Sequence, residues 1–313
     1  TIYISAGTYK ESVNITSKKL NLVGLGVVEI ESSSLGGKDC IHVEGGSLNI
    51  ENITLNGGKN GIYIHGDGDL TVTNCRIKNS NDKGIHSYTY GNILISNTLF
   101  EGNSTGLDLE YTGKPVIWNN TFYGNGNDIT ARYHWANSKI TQIYNCVITG
   151  NVYNAYDSGR LELYYCSIQE ESDIGKNVKR MEGNIIGDPL LNDPSNGDLS
   201  LRVESKLINA GTNDIILQML GGDSLEIAND YAGKSRVMFE VVDIGAYELA
   251  TLYSAPLSYS VENKNLTVTK CDTSASGVLV IPSSYNGYPV TSVGDYAFQN
   301  CVSLTSVTIP DSV

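Results

Sequence analysis

The sequence predicts an all-β solenoid, a stack of short coils, and three observations carry that prediction. The first is a recurring segment: Leu48-Asn-Ile-Glu-Asn-Ile-Thr-Leu55, Leu70-Thr-Val-Thr-Asn-Cys-Arg-Ile77, Ile93-Leu-Ile-Ser-Asn-Thr-Leu-Phe100, Val116-Ile-Trp-Asn-Asn-Thr-Phe-Tyr123 and Gln142-Ile-Tyr-Asn-Cys-Val-Ile148. Its central Asn stands at 52, 74, 97, 120 and 145, in steps of 22, 23, 23 and 25. A period in the twenties with strand-type alternation inside each unit marks repeats that bury their apolar faces against one another. The second is a further strand in every unit: Asp39-Cys-Ile-His-Val-Glu44, Gly61-Ile-Tyr-Ile-His65, Gly84-Ile-His-Ser-Tyr88, Gly106-Leu-Asp-Leu-Glu110 and Asp128-Ile-Thr-Ala-Arg132. The third is arithmetic. A unit of this length with two or three short strands has little room for a crossover helix, so the strands must pair coil on coil in parallel. The expected fold is a right-handed parallel β-helix.

Alternation assigns the faces. Ile62, Ile85, Leu107 and Ile129 point one way, with Ile64, Ser87, Leu109 and Ala131 two residues on; being apolar or small, they face inward. In the recurring segment, Leu55, Ile77, Phe100, Tyr123 and Ile148 form one expected column, and Ile53, Cys75, Thr98, Thr121 and Cys146 another. Glycine is abundant (33), as tight coil turns require, and Tyr (20) far exceeds Phe (4), which suits half-wet strands.

Charge narrows the partners. A net charge of −13 argues against nucleic acid, whose binding needs Lys and Arg, and disfavours a bare anionic membrane surface. No apolar run reaches the roughly 18 residues of a transmembrane helix. The chain opens inside a strand-like pattern and stops inside another at Pro310-Asp-Ser-Val313, so a secretion signal or anchor is expected outside these residues. The six cysteines form no CxxC pair and have no His-x-x-His partner, which speaks against a zinc site. Cys75, Cys146 and Cys166 read as small core residues. Cys146 and Cys166 fall on adjacent coils, close enough for a disulfide but with parallel Cβ directions that suit one poorly.

Three regions follow from changes of pattern. Residues 1–186 are coils. Residues 187–250 are a β-rich acidic tail; eleven acids face four bases between 187 and 248. Residues 251–313 begin another repeat, hinted at by the pair Val278–Pro282 and Val307–Pro310.

These residues also resemble known families. The opening Ile2-Tyr-Ile-Ser-Ala-Gly-Thr-Tyr-Lys-Glu-Ser-Val13, followed by Leu20-Asn-Leu-Val-Gly24, resembles the first coil of right-handed β-helix proteins of the pectin- and polysaccharide-acting type. The Asp188-Pro, Asn209-Ala-Gly and Asp243-Ile-Gly-Ala-Tyr-Glu motifs resemble the tail of choice-of-anchor Q proteins, a group of bacterial secreted β-helix proteins. Ile281-Pro, Tyr288-Pro-Val-Thr-Ser-Val, Ala297-Phe-Gln-Asn-Cys301 and Leu304-Thr-Ser-Val-Thr-Ile-Pro310 resemble the start of a BspA-type leucine-rich repeat array. The resemblances imply a large modular protein, extracellular or at a bacterial cell surface. They imply no particular reaction, because β-helices host lyases, hydrolases, esterases and adhesive stalks.

Chemistry is expected on the outward ladder of the further strand. One column holds His42, Tyr63, His86, Asp108 and Thr130, the next Glu44, His65, Tyr88, Glu110 and Arg132, and His134 and Trp135 follow. All four histidines therefore lie on or beside one face. His65, Tyr88, Tyr111, Tyr133, His134 and Trp135 are the candidate ligand-binding residues, with rings that could stack on sugars. Asp108, Glu110, Arg132 and His86 are the candidates for catalysis. Strand rise sets Asp108 and Glu110 roughly 7 Å apart, the range of an inverting glycosidase pair. Alternatively the two carboxylates hold Ca²⁺ while Arg132 or His86 takes the proton α to a uronate carboxylate. A solvated sheet face carries polar residues in any case, so the same columns also suit a face without chemistry. Asp188, Asp193 and Asp198, with Asn196, form a second candidate Ca²⁺ site, although such residues cap turns more often. The row Asn56, Asn79, Asn103, Asn125 and Asn151 reads as turn residues bonding neighbouring coils.

The expected function is a structural or adhesive surface protein. Its partner would be a polysaccharide, a host or cell-surface glycoprotein, or copies of itself. The alternative is a polysaccharide lyase or glycoside hydrolase acting on an acidic polysaccharide.

Overall fold

The computed structural model describes residues 1–110, 113, 115–132, 140–155, 160–202, 205–219, 229–236, 241–249, 257–263, 265–285 and 288–313. Each coil contributes strands to three sheets. The first sheet contains Ser47–Glu51, Leu70–Thr73, Ile93–Ser96, Val116–Trp118, Ile140–Tyr144, Arg160–Tyr164 and Val178–Arg180. The second contains Thr54–Asn56, Arg76–Lys78, Leu99–Glu101, Thr121–Tyr123, Val147–Ile148, Ser167–Ile168 and Ile185–Ile186. The third contains Val13–Thr16, Ile41–Glu44, Asn60–Gly66, Lys83–Thr89, Thr105–Glu110, Asn127–Arg132 and Val152–Asn154. Near the N-terminus the long strand Lys19–Glu31 serves two sheets, pairing with Ser47–Glu51 through one half and Thr54–Asn56 through the other. Pairing between coils is parallel throughout. Among the described residues the only α-helix is Asp214–Met219, and no helix is long and apolar enough to cross a membrane.

The recurring Asn is the corner between the first and second sheets. Asn52, Asn74, Asn97, Asn119 and Asn145 all have φ between 48° and 57°. Asn is the non-glycine residue that enters the left-handed region most readily, so the repeat conserves a bend rather than a strand centre. One coil corrects the expected alignment. The corner there is Asn119, and Asn120 lies inside, fully buried, with its side-chain amide donating to the carbonyls of Ile95 and Trp118 and its Oδ1 accepting from the Thr98 amide. The expected columns shift by one residue in this coil: Phe122, not Tyr123, stands between Phe100 and Ile148. Likewise Thr121 pairs with Leu99 and Val147, leaving Asn120 beside Thr98. The paired Asn119-Asn120 made both alignments possible. Burial chose between them, because Phe122 fills the core and stacks on Phe100 at 4.6 Å.

The interior is one continuous apolar column from Ile15 to Ile168. Cys40, Cys75, Cys146 and Cys166 belong to it, and all six cysteines are free and buried. The thiol of Cys146 donates to the carbonyl of Tyr144 and that of Cys166 to Ile143 and Tyr164, which accounts for small polar residues in this position without a disulfide. The turn-side Asn row bonds between coils: Asn79 donates to Asn56 Oδ1 at 3.0 Å, and Asn103 to Asn125 Oδ1 at 3.0 Å.

After Ile186 the chain turns back over the outer side of the second sheet. Leu191, Leu199, Leu201, Leu207, Ile244 and Ala246 pack on the outward-facing Leu99 and Val147. The Asp243-to-Glu248 motif is the fastener. The Gly245 amide donates to the Asn145 carbonyl and the Ala246 amide to Thr121 Oγ1. Gly245 has φ +120°, and a Cβ there would meet Val147 Cγ2 at 3.0 Å, so close approach and backbone both require glycine. Arg236, 1% exposed, binds Glu248, the carbonyls of Gly245 and Ala246, and the corner residue Asn97. Asp230 and Asp243 each accept two backbone amides in the same buried network.

In residues 257–313, Asn265–Cys271 pairs in parallel with Tyr288–Val293, and Ser276–Val280 with Ser303–Thr308. Leu279 stands against Val307, so the two halves of the Val278 and Val307 pattern are spatial neighbours.

Candidate functional site

Register decides which side chains meet on the outer side of the third sheet. The inward residues Ile62, Ile85, Leu107, Ile129, Ile64, Ser87, Leu109 and Ala131 are fully buried, so the residues between them face out. Pairing aligns His42, Tyr63, His86, Asp108 and Thr130 in one row, and Glu44, His65, Tyr88, Glu110 and Arg132 in the next. These are the two columns that alternation predicts. Because parallel strands lie about 4.8 Å apart, side chains 21 to 24 residues distant in sequence become contact neighbours.

The rows divide by chemistry. Towards the N-terminus they carry rings. Tyr63 stacks on His65 at 5.2 Å and on His86 at 5.0 Å, while His42 meets Tyr63 edge-on at 5.1 Å. Tyr88 is 43% exposed beside them. His42 Nδ1 is paired with Asp39 at 2.9 Å.

Towards the C-terminus they carry charge. Asp108 is completely buried; its Oδ1 accepts from Thr130 Oγ1 and its Oδ2 from Arg132 Nη2 at 2.6 Å. The other guanidinium nitrogen lies 3.0 Å from Glu110 Oε1. One Arg thus neutralises parts of two carboxylates, the bidentate geometry that guanidinium favours. His86 Nε2 sits 3.8 Å from both Asp108 Oδ2 and Glu110 Oε2. That nitrogen is buried and, among the described residues, has no hydrogen-bond partner. Burial pushes the His86 pKa below the ordinary imidazole value, against the upward pull of Asp108 and Glu110.

The carboxylate geometry differs from the expectation drawn from strand rise. His86, Asp108 and Glu110 each offer an atom within 4.8 Å of the others. Both acids bend onto Arg132, which closes the gap that straight side chains would leave. This is tighter than the roughly 6.5–9.5 Å an inverting glycosidase leaves for its water. Tyr63 and Thr130 stood in the predicted columns without an assigned role; the structure gives one the central stacking position and the other the bond that holds Asp108.

Tyr111, Tyr133, His134 and Trp135 lie outside the described residues. Asp188, Asp193 and Asp198 do not converge. Asp188 accepts from the Leu190 amide, Asp193 from Ser195 and Asn196, and Asp198 from Ser200 and Asn192. These are turn-capping bonds, and they hold the Asp193 and Asp198 carboxyls below the usual value. Among the described residues, the one group of three or more potential metal ligands is His86, Asp108 and Glu110.

Residues 39–186 match the family model described as the right handed beta helix region. This span runs from the coil of Cys40 to the last strand of the second sheet. The coil region is a right-handed parallel β-helix. No curated protein matches the chain. On this β-helix the ring rows and the charged cluster share one face of the third sheet, while the tail packs on the second sheet.

Proposed function

We propose that the chain is a glycan-binding scaffold of an extracellular or bacterial cell-surface protein, with the third sheet as its binding face. The observation that carries this reading is the in-register row of His42, Tyr63 and His86, with His65 of the next row stacked on Tyr63 and exposed Tyr88 beside it. A nearly continuous strip of rings beside polar groups suits a chain of sugar units, whose apolar faces stack and whose hydroxyls need donors and acceptors. Proteins with this type of β-helix occur both at surfaces and among polysaccharide-acting enzymes, which supports a carbohydrate-facing role at the level of family. The choice-of-anchor Q resemblance of the tail and the BspA-like resemblance of residues 257–313 support a modular surface protein. The parallel pairing of Ser276–Val280 with Ser303–Thr308 is compatible with the first units of a repeat array. The partner would be a polysaccharide or a surface glycoprotein.

Binding is tested by titrating the protein with plant, algal and host glycans, using calorimetry on hits from an immobilised panel. Tyr88→Ala and Tyr63→Ala should each weaken binding about 5- to 100-fold, the effect of roughly 1–3 kcal/mol for a lost aromatic platform. Unchanged affinity in both variants refutes the assignment of this face.

One observation favours a second reading, a polysaccharide lyase or glycoside hydrolase. The cluster of His86, Asp108, Glu110 and Arg132 joins an imidazole to two carboxylates and a guanidinium, a set able to move protons and hold an anion. Full burial of Asp108 and its two bonds make it a positioning group, leaving His86 and Glu110 as the acid–base candidates. New reducing ends or unsaturated uronates, lost in His86→Ala, would establish this reading. Their absence with every glycan that binds leaves the scaffold.

A further inference from the structure

His86, Asp108 and Glu110 do more than share a face. We propose that they form a binding site for a divalent transition-metal ion, with His86 Nε2, Glu110 Oε2 and Asp108 Oδ2 as its protein ligands. This goes beyond the glycan-binding reading and does not depend on it.

Three features of the geometry lead there. His86 Nε2 is shut off from solvent and, among the described residues, has no hydrogen-bond partner, a position that an ion can fill. It lies 3.8 Å from one oxygen of each carboxylate. A zinc-type ion with bonds of about 2.1 Å and tetrahedral angles sets its ligands about 3.4 Å apart; the two distances from His86 exceed this by a few tenths of an ångström, and all three ligand atoms lie within 4.8 Å of one another. Finally, the outer groups are in place. Thr130 binds the other oxygen of Asp108, and Arg132 bridges Asp108 and Glu110. Ligating carboxylates are ordinarily oriented by such hydrogen bonds, and a carboxylate oxygen retains a lone pair for the metal after accepting one.

Donor type selects the ion. Calcium asks for six to eight oxygens, and this cluster offers one nitrogen and two oxygens. Neutral imidazole with carboxylates suits zinc, manganese or iron of the divalent transition series. The ring stack fixes His86, since Tyr63 packs against it at 5.0 Å and limits rotation of the imidazole away from the carboxylates.

The experiment uses the intact chain, freed of metal with a chelator and titrated in the absence of glycan with Zn²⁺, Mn²⁺ and Ca²⁺ by calorimetry. Co²⁺ serves as a spectroscopic probe of the coordination sphere. One equivalent of Zn²⁺ or Mn²⁺ should bind and raise the melting temperature, and Ca²⁺ should bind at least 10-fold more weakly. His86→Ala and Glu110→Gln should each weaken transition-metal binding at least 10-fold, with far-UV dichroism showing both variants folded. His42→Ala, which alters a histidine of the same row outside the cluster, should bind as the parent does. Stoichiometric binding that survives His86→Ala, tighter Ca²⁺ than Zn²⁺ binding, or no binding of either transition metal overturns the proposal. Failure here leaves glycan binding by Tyr63 and Tyr88 untouched, and the reverse also holds.

Discussion

Replacing Phe122 by Ala tests the coil register at the one place where sequence alignment and structure disagree. Alignment on the repeated Asn places Tyr123 in the core column; the structure places Phe122 there, fully buried and stacked on Phe100 with the rings 7° from parallel. Truncating a buried Phe costs about 3–5 kcal/mol, the sum of lost transfer free energy and the cavity left behind. The stack itself accounts for about 0.5–1.5 kcal/mol of interaction beyond burial. A rigid coil stack has little means of collapsing the hole, because the backbone above and below is pinned by ladder bonds on three sides. The upper half of the range is therefore expected. Tyr123 is half-buried, at the margin of the cluster that Leu99 and Val147 form with the tail, so Tyr123→Ala should cost about 1 kcal/mol, the central value for ordinary substitutions. Urea denaturation followed by far-UV dichroism measures both. A larger loss for Tyr123→Ala than for Phe122→Ala would refute the register and the columns built on it.

Three further outcomes follow from the buried polar groups. Arg236→Met strands Glu248 in the tail interface without its cation, at a cost of about 3–5 kcal/mol; limited proteolysis should then cleave within 187–249 while fragments spanning the coils persist. Gly245→Ala forces a side chain into a left-handed backbone 3.0 Å from Val147, and the same proteolytic release of the tail is expected, with the coil dichroism retained. Stability should rise as pH falls. Burial pushes Asp128 and Asp243 up to about 6, above their ordinary value near 4, so the neutral form is favoured by the folded state. Their contribution is fully present below about pH 4 and is lost as pH rises through about 6. The melting temperature should therefore increase from pH 7.5 to 5, and Asp128→Asn should flatten that increase; a melting temperature that falls over this interval contradicts the burial of these groups.

Much of the architecture was legible because solenoid periodicity is local. Ile62 and Ile64 alternate with Tyr63 and His65 in a pattern that any single coil displays, and repeating it aligns the outward rows without further information. The two-residue ambiguity at Asn119-Asn120 was not legible, since either Asn tolerates the left-handed bend and only the volume available to Phe122 decides. The site was half legible. Alternation brought His86, Asp108, Glu110 and Arg132 to one face, but strand rise overestimates the carboxylate gap because it ignores side-chain bending towards a shared guanidinium. The three scattered motifs Asp188-Pro, Asn209-Ala-Gly and Asp243-to-Glu248 carried no periodic signal at all. For the Asp243-to-Glu248 motif the meaning lies in the bonds of Gly245 to Asn145 and of Ala246 to Thr121, the latter 125 residues away in sequence.

The chain alone determined a stack of coils, the inward and outward faces of the third sheet, and the acidity of the molecule. Those properties follow from the order of apolar and polar residues and from a period, both of which are written in one dimension. Tertiary structure decided that the tail folds back along the second sheet. It also decided that Asp108 is sealed between Thr130 and Arg132, and that the His86 nitrogen is left facing two carboxylates. Such outcomes depend on how side chains of different length compete for the same space and the same partners, which only their three-dimensional placement resolves.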